Sequence, residues 1–146
     1  MDTVLIAGGR TTGLMMAAEL ARRGIPVRII DKSPGIDPHV RATLLHSRTL
    51  EIFQGLGIAD QATQGSIAEQ GVRIYANGEL VGDSRHQPLD SPFPYGMAQS
   101  QAHVEAVLEA HLGRYGVAVE RNVELVELSQ DETGVEAGLS LADGSK

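Results

Sequence analysis

The segment Gly8-Gly9-Arg10-Thr11-Thr12-Gly13 constrains this chain more than any other, because of what stands on either side of it. Before it, Thr3-Val4-Leu5-Ile6-Ala7 is a short apolar run of strand length, the pattern of a strand buried on both faces of a parallel sheet, and it is read as the central strand. After it, Leu14, Ala17, Ala18 and Ala21 recur on one helical face from Thr12 to Arg23. Arg22 and Arg23 lie at the negative end of that helix's dipole, and Gly24 supplies a C-terminal cap. Val27-Arg28-Ile29-Ile30 then forms a second strand closing on Asp31, and so short a crossover makes the two strands parallel and right-handed. Residues 1–31 therefore predict a βαβ unit.

The start of a helix in such a unit offers free N–H groups and positive potential, which suits an anion. Dinucleotide-binding turns read G-x-G-x-x-G: one glycine for the tight turn, one for close approach to the diphosphate, one for helix against strand. Gly8 and Gly13 occupy the first and third places, and Arg10 stands at the second. Three readings of Arg10 follow. Its guanidinium neutralises a diphosphate, its Cβ obstructs one, or the turn is only a structural link between strand and helix. Asp31 stands near the expected separation of about 20 residues, where a carboxylate accepts hydrogen bonds from ribose hydroxyls. The bland alternative is a solvated carboxylate at a strand end.

Farther on, 32–39 holds Pro34, Gly35 and Pro38 and reads as loop, and Ser47 is placed to cap a helix carrying Leu50, Phe53 and Leu56 that stops at Gly57. Val72 to Tyr75, the turn pair Asn77-Gly78 and Leu80-Val81 predict a hairpin, followed by an irregular proline-containing link over 84–95. A helix over about 100–114 carries Val104, Val107, Leu108 and Leu112 on one face, after which Val117 to Glu120 returns to the parallel sheet. Two more strands are expected around Val123 to Leu128 and Val135 to Leu141, with a turn at Asp143-Gly144.

Charge and composition remove several function classes. A formal net charge of −7 over 146 residues, with no basic stripe, argues against a nucleic-acid partner. With no cysteine there is no disulfide, thiolate nucleophile or cysteine zinc site, and the five histidines show no metal-ligand spacing. No apolar run approaches the roughly 20 residues that span a membrane, and no basic leader precedes the first strand, so a cytoplasmic protein is expected.

The stretch Val40-Arg41-Ala42-Thr43-Leu44-Leu45-His46-Ser47-Arg48-Thr49-Leu50-Glu51-Ile52-Phe53 resembles the FAD-dependent aromatic hydroxylases, the single-component flavoprotein monooxygenases of the p-hydroxybenzoate hydroxylase type. Gly71 to Tyr75 and Ser100-Gln101-Ala102-His103-Val104-Glu105 carry the resemblance on, and it runs from Thr3 to about Gly144, the first part only of such an enzyme. It implies an α/β fold: a Rossmann-like FAD-binding βαβ unit with an added β-hairpin and antiparallel meander, incomplete relative to the family. On that reading 1–146 is a partial FAD-binding domain, 72–82 the hairpin of a substrate-side sheet, and 100–146 a helix, returning strand and meander.

The resemblance also assigns residues. Gly8 and Gly13 belong at the FAD diphosphate, Asp31 at the adenosine ribose, and Arg41 and Gln101 along the diphosphate, ribityl or flavin side, while Arg10, Thr12 and Lys32 join them as cofactor-binding candidates. No catalytic side chain and no metal is implied, since in this family the flavin performs the chemistry. NADPH or NADH reduces it, and with O2 it hydroxylates a small aromatic or polyketide-like substrate. Arg48 and Glu105 are left as ordinary helix positions. Two features favour instead a non-catalytic dimerising or accessory module that keeps the fold and has lost FAD binding: Arg10, and the early stop, which leaves a partial sheet whose open edge invites a second copy or a complementing chain.

Overall fold

A computed structural model describes residues 3–39 and 44–141. Its elements in chain order are β1 (Val4–Ala7), α1 (Thr11–Ala21), β2 (Val27–Asp31), β3 (Leu44–Leu45), α2 (Ser47–Leu56), α3 (Ala59–Thr63) and β4 (Ile67–Glu69). There follow β5 (Gly71–Ala76), β6 (Glu79–Arg85), β7 (Gly96–Ala98), α4 (Gln101–Gly113), β8 (Val119–Arg121), β9 (Glu124–Asp131) and β10 (Gly134–Ser140). Residues 1–38 with 105–146 form one compact unit and residues 39–104 a second, the boundary falling within α4.

In the first unit β1, β2 and β8 make a parallel sheet in the order β1-β2-β8, with Ile6 opposite Ile29 and Asp31 opposite Arg121. This corrects the expectation for the first strand. β2 is the middle strand and buries Ile29, Ile30 and Asp31, whereas β1 is an edge strand among the described residues and leaves Val4 and Ala7 exposed. The physical reason is neighbour count: β2 is covered by a strand on each side and packs against α1, while β1 is paired on one side. Leu14, Ala17 and Ala18 form the buried stripe of α1, and small alanines let the helix lie close to the sheet. The helix ends where Gly24 takes φ +72°, its N–H donating to the Ala21 carbonyl.

β9 and β10 form an antiparallel hairpin in the same unit, in which Ala137 and Leu139 are half-buried and Val135 and Leu141 exposed. The Asp143-Gly144 turn lies outside the described residues. In the part of α4 that belongs to this unit, Leu108 and Leu112 are fully enclosed.

The second unit holds α2, whose Leu50, Phe53 and Leu56 are buried at helical spacing and which ends on Gly57 at φ +73°. The helix begins one residue earlier than its expected cap: His46 is the N-cap and Ser47 is the buried first residue. The Asn77-Gly78 pair takes positive φ at both positions, as a two-residue hairpin turn between β5 and β6 demands. A sheet of order β3-β7-β4 and the short helix α3 carry no sequence expectation; each has five residues or fewer, too short for a hydrophobic period to register. Among the described residues no helix is long and apolar enough to cross a membrane.

Candidate functional site

The turn between β1 and α1 is built by three glycines, and they are not the three of the G-x-G-x-x-G pattern. Gly8 takes φ +121°, a conformation that L side chains rarely adopt. A Cβ on Gly13 would lie 1.9 Å from the Gly8 carbonyl oxygen, so helix and turn approach at a distance that admits only hydrogen. Gly9 is the third: a Cβ there would meet Val119 Cγ1 at 2.7 Å and Asp31 Cβ at 3.1 Å. Sequence reading passed over Gly9, because the pattern assigns its position to any residue.

Arg10 is the N-cap of α1 with φ −96° and ψ −179°, ordinary extended backbone that does not require glycine. Its side chain is held by acids. Nη2 donates to Asp37 Oδ2 at 3.1 Å, and Nη1 lies 3.6 Å from Glu105 Oε2. The hydrogen bond to Asp37 raises the guanidinium pKa above its usual value, with burial opposing and Glu105 assisting. Glu105 is fully buried, and its Oε1 accepts from both the N–H (3.3 Å) and the hydroxyl (3.2 Å) of Thr11. A carboxylate at this place is favoured by the helix dipole. The residue left aside as an ordinary helix position thus packs against the turn. Its signal was faint: it follows Gln101 by four residues, and such pairs share a helix face.

The first intrahelical bond of α1 is Leu14 N–H to Arg10 O. Thr11 N–H is taken by Glu105, and the N–H groups of Thr12 and Gly13 make no hydrogen bond among the described residues. Thr12 is exposed and Gly13 half-buried, so two donors at the positive end of a helix remain for an anion.

Asp31 ends β2 with 6% of its surface exposed. Oδ2 accepts from Gly9 N–H at 2.6 Å, and Oδ1 from Ser33 N–H at 2.7 Å. Burial disfavours the charge, but the N–H groups of Ser33 and Gly9 and the nearby Arg121 outweigh it and hold the carboxyl below its ordinary value. The same Gly9 bond ties the strand-end acid to the turn. Lys32 points outward and pairs with Glu124 at 3.3 Å. Gln101 is the half-buried first residue of α4, in the second unit. Arg41 lies outside the described residues. The structure therefore gathers Gly8, Arg10, Thr12, Gly13 and Asp31 about one turn. Among the described residues no group of three or more His, Cys, Asp or Glu is placed to hold a metal ion.

The glycine contacts, the two open amides and a cation at the cap fit a dinucleotide diphosphate, and the strand-end acid fits its ribose. The family described as "FAD binding domain" matches over residues 1–146. The chain belongs to that family. A flavin-dependent monooxygenase of Mycobacteroides abscessus is 37% identical over 147 aligned residues, which cover 94% of this chain and 31% of that protein. Pentachlorophenol 4-monooxygenase of Sphingobium chlorophenolicum is 32% identical over 145, covering 98% and 27%. Among solved structures, p-nitrophenol 4-monooxygenase PnpA from Pseudomonas putida DLL-E4 superposes with a TM-score of 0.87 at 26% identity, over 99% of this chain and 38% of that one. This FAD binding domain thus spans roughly a third of the length of the proteins it matches, its relatives are flavin-dependent aromatic monooxygenases, and its Rossmann-like fold is theirs.

Proposed function

We propose that this chain forms the cofactor-holding part of a flavin-dependent monooxygenase that hydroxylates an aromatic or polyketide-like substrate with NAD(P)H and O2. The observation that carries this is the pair of open amides on Thr12 and Gly13, delivered to one point by glycines that admit no side chain. In this reading Gly8, Thr12 and Gly13 receive the FAD diphosphate, Asp31 the adenosine ribose with Lys32 beside it, and Arg41 and Gln101 the diphosphate, ribityl or flavin side. FAD, when bound, supplies the redox and oxygen-activating chemistry. The protein's own contribution is to bind, to orient and to exclude water.

Arg10 acts as a diphosphate cation in this proposal. Its anchoring by Asp37 and Glu105 favours this over obstruction, because a tethered guanidinium stands beside the cradle instead of sweeping across it. FAD added to the purified chain should quench its flavin fluorescence and raise the melting temperature. Arg10→Gly should weaken FAD by about tenfold or more, the worth of a hydrogen bond to a charged group. Tighter binding by that variant would mean that Arg10 obstructs, and no binding by either protein would refute the flavin reading.

A second reading, a dimerising or accessory module, is favoured by one observation. Ile74, Tyr75, Leu80 and Val81 on the β5–β6 hairpin, and Val126, Leu128 and Val135 on β9–β10, are exposed apolar side chains on two-stranded sheets. Concentration-dependent association without flavin binding would select it.

A further inference from the structure

Asp31 and Arg121 are register partners on adjacent parallel strands, β2 and β8, so their side chains leave the same face of the sheet. Arg121 is 15% exposed, and its Nη1 lies 3.9 Å from Asp31 Oδ1, beyond hydrogen-bond distance. The cause is visible on the other arm of the fork: Nη2 is hydrogen-bonded to Glu109, on α4. Nη1 is buried with no hydrogen-bond partner of its own among the described residues. An ionised carboxylate has about four acceptor sites, and the N–H groups of Gly9 and Ser33 occupy one on each oxygen of Asp31. A guanidinium docked directly on this carboxylate would fill the remaining sites, since Arg pairs with carboxylates through two parallel bonds. With Arg121 absent, a nearly buried charge would lose the cation 3.9 Å from it and keep only the longer-range field of Arg10 among the described residues, and burying a poorly paired charge is costly.

We infer that Glu109 and Arg121 are a positioning pair for Asp31: Glu109 holds Arg121 back, so that Arg121 lends positive charge without consuming the acceptor sites Asp31 offers to a ribose diol. This rests on the flavin reading of the site and adds two residues to it. Neither residue touches the ligand. The pair acts through the carboxylate and so sets how much of the binding comes from the ribose hydroxyls.

The test uses the full chain and two probes, ADP and 2′,3′-dideoxy-ADP, by titration calorimetry, with FAD titrated in parallel. The wild-type protein should bind ADP about tenfold more tightly than the dideoxy probe, as expected for hydrogen bonds to a charged acceptor. Arg121→Gln should shrink that ratio to within about twofold by loosening the carboxylate, and Arg121→Lys should restore most of it. Glu109→Gln, the second variant should Arg121→Gln fail to fold, should also shrink the ratio, because the freed Arg121 docks on Asp31. An Arg121→Gln or Glu109→Gln protein that weakens both probes alike, with the ratio intact, has only a structural role there and overturns the inference. Wild-type protein that binds FAD but shows no diol preference overturns it while leaving the flavin reading standing. Failure to bind FAD and ADP at all removes both.

Discussion

Replacing Gly13 by alanine isolates the feature on which the turn depends. In the middle of an exposed helix the exchange would help, since alanine is the better helix former by about 1 kcal/mol. Here the new Cβ would sit 1.9 Å from the Gly8 carbonyl oxygen and 3.2 Å from Ile6 Cγ2. To restore ordinary contact, α1 and the turn must part by about 1.5 Å, and the nearest obstacle is backbone, which cannot rotate away as a side-chain tip can. Overpacking of this kind costs roughly 1–3 kcal/mol and sometimes more, and a backbone collision belongs at the upper end. The net expectation is a loss of about 2 kcal/mol, a fall in melting temperature of roughly 4–8 °C for a chain of this size. Gly55→Ala is the internal control. Gly55 lies in α2, where an added Cβ meets nothing within 4 Å, so the same exchange should raise stability by about 0.5–1 kcal/mol. Thermal unfolding followed by circular dichroism at 222 nm reads both, and FAD titration should show Gly13→Ala weakened and Gly55→Ala unchanged. A Gly13→Ala protein as stable as wild type would refute the close-approach argument.

Two further outcomes follow from buried ionisable groups. Burial, aided by the charge of Arg114, holds His111 below its usual pKa of 6.5, and neither ring nitrogen has a hydrogen-bond partner among the described residues. The unfolded chain then takes up a proton that the folded chain refuses, so stability should fall as pH drops below about 6.5. His111→Phe, which keeps the edge contact with Tyr115, should flatten that slope and add about 1 kcal/mol at neutral pH; a variant as pH-sensitive as wild type would exclude His111 as the source. Asp31 has a lowered pKa, so its contribution is present above the ordinary carboxylate value of 3.8 and is lost as pH falls through the lower folded value. Asp31→Asn should therefore be destabilised by about 2 kcal/mol at pH 7, and urea unfolding should show the gap to wild type closing as pH falls below the ordinary carboxylate value of 3.8. A gap that stays constant with pH would contradict the assignment.

The local pattern of the chain was enough for the βαβ unit, the flavin-type family and the acid at the end of the second strand. An apolar run, a glycine turn, an alanine-faced helix and Val27 to Asp31 are near-neighbour signals, and each element's period is contained in its own residues. The same holds for the Asn77-Gly78 hairpin and for α4, where Val104, Leu108 and Leu112 repeat at helical spacing. Tertiary structure alone decided which strand is central, because neighbours, not composition, bury a strand: among the described residues β2 lies between β1 and β8, while β1 pairs with β2 alone. It also decided that Gly9 is required, through contact with Val119 more than a hundred residues away in sequence. Glu105, Glu109 and Arg121 acquire their meaning in the same way. A charged residue on a helix or strand reads as solvent-facing until the fold brings its partner within reach, and the glycine turn, the acid beside it and the cation behind that acid come from three separate stretches of chain.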